Sequence, residues 1–213
     1  MLFRNREHAA RLLAAKLSPY KNKNPWVLAI PRGAVPMAKI IADSLHGELD
    51  VLLVRKLGHP AQPELAIGAV DENGNVFLSD YALEIPVEYL AAEKQRQLRL
   101  LRERRAHYTP ARSPIDPKDR IVVVDDGIAT GSTMIAALRS ARSANPRKLV
   151  AAVAVASLEA ACRISNEADA TVCLKIPPDF YSVGQFFKDF SEVTDEDVIK
   201  ILQAHDSNLA ACG

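Results

Sequence analysis

Two adjacent acids, followed by a run of small residues, stand just past the middle of the chain. Asp125 and Asp126 follow the apolar run 121–124, and residues 127–133 read GIATGST. Carboxylates accept hydrogen bonds from vicinal hydroxyls and also attract divalent cations. Small residues ahead of a helix let backbone N–H groups and hydroxyls approach an anion. The stretch therefore predicts a sugar phosphate site, with the diol on the acids and the phosphate on the loop.

Other interpretations of this stretch fit less well. Two acids at a strand end also occur as ordinary helix caps. The stretch lacks the GxxxxGK[ST] pattern of a P-loop and the GxGxxG pattern of a dinucleotide-binding fold. A response-regulator receiver carries an acidic pair on its first strand, whereas most of this chain precedes Asp125.

Two other predicted strand ends carry residues suited to an anion. The loop PRGA at 31–34 follows the apolar run 26–30, and its glycine permits close backbone approach. Arg55 and Lys56 close the predicted strand 49–56 and could neutralise a leaving anion. Ligands of open parallel sheets bind beyond the carboxyl ends of the strands. These residues are therefore predicted to join the site at 125–133.

Composition places the chain among ordinary globular α/β proteins. It has 213 residues, of which 48% are hydrophobic and 25% charged, and a net charge of +1. This balance gives no reason to expect nucleic acid as a partner, and the arginines of the helix 86–106 are interpreted as a solvated face. The three cysteines show no disulfide or zinc pattern, and no apolar run could span a bilayer. We expect a cytoplasmic protein without a membrane partner.

Alternating apolar and amphipathic segments predict an α/β fold with a central, mainly parallel sheet and helices on both faces. The predicted strands are 26–30, 49–56, 120–125, 148–157 and 170–177. The predicted helices are 6–17, one that closes near Gly47, 86–106, about 132–144 and 158–167. A β-hairpin is expected around Asn73-Gly74. We expect a single domain, 1–213, with the hairpin and the C-terminal tail as additions to its core.

The run VVVDDGIATGST resembles the phosphoribosyl pyrophosphate (PRPP) motif of type I phosphoribosyltransferases, in which apolar residues precede two acids and a Gly/Thr-rich loop. The stretches IPRGAVPMA, VRKLGHPAQPELAIGAV and SVGQFFKDF are similar to a group of bacterial phosphoribosyltransferases that are sometimes fused to a hydrolase. The resemblance covers most of the chain. It implies the type I phosphoribosyltransferase fold, with a flexible loop and hairpin at about 57–80 and a small C-terminal hood at about 177–205. It also implies transfer of 5-phosphoribosyl from PRPP to a nitrogenous base or related acceptor, with release of pyrophosphate.

The resemblance implies a role for each motif. Asp125 and Asp126 would face the ribose hydroxyls, with the cofactor Mg²⁺ held near them by PRPP and water rather than by direct protein ligation. Arg55 and Lys56 would join these acids as catalytic residues by facing the leaving pyrophosphate. The 5-phosphate would bind to Gly127, Ile128, Ala129, Thr130, Gly131, Ser132 and Thr133. The pyrophosphate would bind to Pro31, Arg32, Gly33 and Lys188, with a cis peptide near the Arg32–Gly33 bond. The base would lie against Phe180, Tyr181 and Phe186 of the hood.

The acceptor stays open at this stage. Members that use 6-oxopurines carry an Asp at the position of Ala129, so that contact is missing here. No residue is identified as the general base, and His59 in the predicted flexible loop is not expected to act as one. A non-catalytic PRPP sensor and a metal-dependent phosphohydrolase are the alternatives. Assembly with further copies of the chain is also left open.

Overall fold

A five-stranded parallel sheet forms the centre of the protein. The structure, a computed structural model, describes residues 2–109 and 120–212, with side chains of the last helix described as far as His205. The strands of this sheet are β1 (Trp26–Ala29), β2 (Glu48–Val51), β6 (Arg120–Ile128), β7 (Lys148–Ala156) and β8 (Ala170–Lys175). Their order across the sheet is β2-β1-β6-β7-β8, and every neighbouring pair is parallel. The predicted parallel sheet is confirmed.

A second, antiparallel sheet is formed by β3 (Val54–Gly58), β4 (Ala66–Asp71) and β5 (Val76–Leu78). Its β4–β5 turn carries Gly74 with a φ of 89°, which confirms the predicted hairpin. The single strand predicted for 49–56 is wrong, because β2 and β3 belong to different sheets. Between them, Leu52 packs in the core on one face of the main sheet and Leu53 in the core on the other. The chain therefore changes direction at Leu52–Leu53, and the continuous apolar run in the sequence does not reveal this.

Helices cover both faces of the main sheet, as predicted. They are α1 (Arg6–Lys16), α2 (Val35–Leu45), α3 (Val87–Tyr108), α4 (Ser132–Ser143), α5 (Leu158–Ser165) and α6 (Asp195–Cys212). One core lies between the sheet and residues of α1, α2, α3 and α6, and the other lies between the sheet and α4 and α5. Within the described ranges, no helix is both long enough and apolar enough to cross a membrane.

The C-terminal tail contains two different structures. Residues 176–194 are irregular, apart from one 3-10 turn at Val183–Phe186 and an isolated bridge between Phe187 and Phe3. The helix α6 follows, and its Val198 and Leu202 are buried in the core. The predicted hood range, about 177–205, therefore runs into a core helix, and we use "hood" below for residues 176–194 only.

Candidate active site

The acidic pair lies where β6 loses one of its two neighbours. The strand β1 pairs with β6 only as far as Ala29 and Val124, and the Ile30 N–H then donates to the Val124 carbonyl at 3.0 Å. Asp125 and Asp126 come next in β6, which continues along β7 to Ile128. The strand predicted for 120–125 is thus three residues longer, and the acids lie inside it. Beyond Val124 the place of β1 beside β6 is taken by the loop that follows it, whose Gly33 lies against Asp126.

The two acids have different surroundings. Burial, together with the charge of Asp126, raises the pKa of Asp125 well above its ordinary value. The Asp126 carboxylate instead meets a cation: Arg6 Nε donates to Asp126 Oδ2 at 2.8 Å, and both side chains are 13% exposed. The positive charge beside Asp126 therefore offsets part of the repulsion between the acids, and burial beside Asp126 makes proton binding at Asp125 more favourable.

Arg6 is a site residue that the sequence did not indicate. It opens α1 and lies 120 positions before the carboxylate that it contacts. Its only sequence signal was a place on an amphipathic helix, which does not identify what lies at the helix end. Two adjacent acids do call for a nearby cation, but the chain has many arginines, and the sequence does not indicate which of them pairs with Asp126.

The loop after β1 packs against the acidic pair. It contains a cis peptide between Pro31 and Arg32, one bond earlier than the predicted Arg32–Gly33 bond. A Cβ atom built on Gly33 would lie 2.2 Å from Asp126 Oδ2, so only glycine fits there without a shift. The Arg32 guanidinium pairs with Glu192 at 2.6 Å and lies 3.7 Å from Asp195. The structure thus brings Gly33 to Asp126, with Arg32 turned toward the end of the hood and the start of α6.

The small-residue loop is open to solvent and leads into α4. Ala129, Thr130, Ser132 and Thr133 are exposed, and Gly131 has a φ of 75°, where a side chain would be strained. Two carbonyls of this loop are held by α5 and its cap. Ser157 Oγ donates to the Ala129 carbonyl at 2.6 Å, and Arg163 Nη1 to the Thr130 carbonyl at 2.9 Å. Thr130 Oγ1 donates to Ser132 Oγ at 3.3 Å and accepts from the Ser132 N–H at 3.4 Å, and an anion at the exposed α4 N-terminus could replace these contacts.

Arg55 and Lys56 lie within β3 rather than at a strand end. Arg55 Nε donates to Gln97 of α3 at 2.5 Å, and Lys56 pairs at 2.8 Å with Glu64, which is almost fully exposed. Burial and the nearby Arg104 and Arg96 lower the pKa of Arg55. Among the described residues, neither Arg55 nor Lys56 forms a hydrogen bond or ion pair with the acids. Their proposed contact with pyrophosphate stays a prediction.

The hood packs directly on the acid-bearing strand. A Cβ on Gly127 would lie 2.5 Å from Val183 Cγ1, so the hood contacts the residue next to Asp126. Of the three predicted base contacts, Phe186 is buried and packs on Phe180 at 5.5 Å between centroids, whereas Tyr181 is 86% exposed. Only Tyr181 presents a fully open ring. Lys188 is exposed, and its backbone N–H donates to the Phe3 carbonyl.

The acidic pair has the chemistry of a partial Mg²⁺ site. Within residues 2–109 and 120–212, no cluster of three or more His, Cys, Asp and Glu side chains could hold a metal by itself. Mg²⁺ commonly takes one or two carboxylates and completes its shell with substrate phosphates and water. Asp125 and Asp126 therefore fit a Mg²⁺ that arrives with a phosphorylated ligand better than a dedicated metal cage.

Comparison with known proteins shows which family the chain belongs to. Residues 2–191 match the model of the phosphoribosyl transferase domain. Two Mycobacterium tuberculosis strains have proteins with provisional phosphoribosyl transferase names, each 39% identical over the whole of this chain. The chain spans about half the length of these relatives, 49%. The crystal structure of TT1426 from Thermus thermophilus is 47% identical, covers 96% of this chain and 99% of its own, and has a TM-score of 0.86. The chain belongs to the phosphoribosyl transferase domain family.

Proposed function

We propose that the protein binds PRPP and transfers its 5-phosphoribosyl group to a nitrogenous base or related acceptor, with release of pyrophosphate. The observation that carries the proposal is the meeting of three parts at one edge of the sheet. The loop 31–33 contacts Asp126 through Gly33, and the loop 127–133 follows the acids directly in the chain. A ligand that has a phosphate, a diol and a pyrophosphate matches these three parts.

The charges of the acids support binding of an anionic sugar. Two ionised carboxylates would repel PRPP, which carries several negative charges. The raised pKa of Asp125 and the pairing of Asp126 with Arg6 lower the negative charge that an approaching PRPP meets. The acids can then bind ribose hydroxyls by hydrogen bonds, which a protonated carboxyl can donate and a carboxylate can accept.

The remaining groups have separate tasks in this proposal. Thr130, Ser132, Thr133 and the N–H groups at the start of α4 bind the 5-phosphate. Arg32, Arg55, Lys56 and Lys188 are the cations proposed for the pyrophosphate end, where negative charge grows as the bond to the ribose breaks. When bound, Mg²⁺ would supply positive charge to the pyrophosphate beside Asp125 and Asp126. Tyr181 is the hood residue whose ring is free to stack on a base.

The test is to neutralise both acids without removing their shape. Asp125→Asn with Asp126→Asn should abolish PRPP binding, measured by isothermal titration calorimetry with MgCl₂, while circular dichroism shows an intact fold. Asp80→Asn with Glu84→Gln is the control, because it removes two exposed acids distant in sequence from both loops. Unchanged PRPP affinity in the first double variant would refute the site.

Turnover requires a second measurement. Release of pyrophosphate from PRPP, measured against a panel of nucleobases and other nitrogen nucleophiles, should identify an acceptor. Tight PRPP binding with no release for any acceptor would instead favour the PRPP sensor.

A further inference from the structure

Arg6 lies outside every motif of the chain and yet makes the described ion pair to the acidic pair. Its position follows from the start of α1. The Asn5 side chain caps the helix by accepting from the His8 N–H at 2.9 Å, and Ala9, Ala10 and Leu13 bury one helix face in the core. The first helical residue is therefore held at the edge of the core, with its side chain directed at β6.

The Arg6 guanidinium is bound on three sides. Nε donates to Asp126 Oδ2 at 2.8 Å, and Nη1 donates to the Ser191 carbonyl at 2.6 Å. The guanidinium carbon lies 3.7 Å from the centre of the Phe190 ring. One side chain thus joins the acid-bearing strand to two consecutive residues of the hood.

Gly33 closes the remaining side of the same carboxylate oxygen. The Cβ position of Gly33 is 2.2 Å from Asp126 Oδ2 and 3.2 Å from Arg6 Nη2. The Asp126 carboxylate therefore has little room to rotate about its side-chain bonds. Arg6 and the loop after β1 together set its direction.

Stability alone is a weak reason for such an arrangement. Replacing a buried ion pair by apolar groups of similar volume is often neutral or stabilising, because the desolvation of two charges offsets their attraction. The Arg6–Asp126 pair is largely buried, at 13% exposure for each side chain. A role in fixing the geometry of the acid explains the pair better than a role in holding the fold.

We propose that Arg6 is a positioning residue for the ribose end of the site. It acts through Asp126, whose carboxylate it orients toward the sugar hydroxyls, and it ties the hood to that acid through Ser191 and Phe190. This inference rests on the proposed binding of PRPP. It predicts that ligands with a ribose diol depend on Arg6 more strongly than ligands without one.

The experiment compares two ligands and three variants by isothermal titration calorimetry with MgCl₂. Arg6→Gln should weaken PRPP binding by about 10- to 100-fold, the usual range when a residue that orients a binding group is lost. Magnesium pyrophosphate lacks the diol, and its Mg²⁺ is proposed to meet the acids through water rather than directly, so its affinity should fall less than that of PRPP, by no more than about threefold. Arg6→Lys keeps the positive charge but loses the planar guanidinium group. It should weaken PRPP binding more than pyrophosphate binding, as Arg6→Gln does, but by a smaller factor.

Arg11→Gln is the matched control. Arg11 lies on the same helix as Arg6, pairs with Glu7 at 2.6 Å, and has a side chain that is 68% exposed. Its PRPP affinity should stay within about twofold of the wild type, and melting temperatures of all variants show whether each is folded. If Arg6→Gln does not fold, Arg6→Lys carries the comparison of the two ligands.

The outcomes separate this inference from the proposed function. Equal losses for PRPP and pyrophosphate, or an unchanged PRPP affinity in the folded variants, would overturn the positioning role. A wild type that binds no PRPP would overturn the proposed function, and the role of Arg6 with it.

Discussion

Gly33→Ala is the substitution whose effect can best be worked out from the structure. The added methyl group would lie 2.2 Å from Asp126 Oδ2 and 3.1 Å from Asp126 Cγ. Because a methyl carbon and a non-bonded heavy atom normally stay about 3.5 Å apart, either the loop or the carboxylate must move by about 1 Å. A free side chain could swing away, but Asp126 is held by Arg6 at 2.8 Å. Relief therefore requires a break in that ion pair or a displaced loop.

The expected cost falls on binding more than on folding. A misplacement of about 1 Å in a site can cost about 100-fold, whereas overpacking costs about 1–3 kcal/mol of stability. We expect Gly33→Ala to remain folded and to bind PRPP about 100-fold more weakly than the wild type. Isothermal titration calorimetry with MgCl₂ measures the affinity for PRPP. Differential scanning calorimetry measures the melting temperature, which shows whether the variant is folded.

A second glycine provides a matched control. A Cβ on Gly47 would lie 2.3 Å from the Pro25 carbonyl oxygen, which is a clash of equal severity just before β1 and β2. Gly47→Ala should lower the melting temperature at least as much, and bind PRPP normally where it is folded. The reasoning is refuted if Gly33→Ala binds PRPP within threefold of the wild type, or if Gly47→Ala loses as much affinity.

Three further predictions concern charge and loop order. Asp125→Asn should raise the melting temperature more at neutral pH than near pH 4. Because the pKa of Asp125 is raised in the folded chain, the stability that its proton contributes is full below the ordinary carboxyl pKa and is lost as the pH rises, whereas Asn does not titrate. An equal shift at both pH values, by calorimetry, would contradict this. Glu192→Gln should tighten PRPP binding up to about fivefold, because it frees Arg32 from an exposed ion pair worth at most about 1 kcal/mol. Weaker binding in titration would show that Glu192 itself assists the ligand. Ser157→Ala should cost about 1 kcal/mol of stability through the lost cap of α5, and also weaken phosphate binding, since the Ala129 carbonyl loses its donor. A stability loss without any change in titrated phosphate affinity would separate the cap from the loop.

Local pattern was sufficient for the parts of the site that are contiguous in sequence. The acids and the loop 31–33 each follow an apolar run, the loop 127–133 follows the acids directly, and residue type alone indicates what they could bind. The parallel sheet then brings strand ends together, which is a general property of such sheets. For this reason the meeting of these segments at one edge of the sheet could be predicted before the geometry was known.

Contacts between distant elements could not be predicted in the same way. Arg6 meets Asp126 only because α1 packs beside the sheet, and nothing in the residues around Arg6 indicates its partner. The division between β2 and β3 depends on Leu52 and Leu53 packing in different cores, whereas the sequence presents one apolar run. The burial of Phe186 is likewise set by its neighbours in the fold and not by its residue type.

The hold of α5 on the small-residue loop has a thermodynamic consequence. A loop that is fixed only when its ligand arrives loses backbone freedom at that moment, at about 1–2 kcal/mol for each residue ordered. Ser157 and Arg163 already hold the carbonyls of Ala129 and Thr130, so that entropy is lost during folding instead. The proposed binding of phosphate would then carry a smaller entropic penalty. The affinity of the loop would in this way be set in part by the helix α5 that lies behind it.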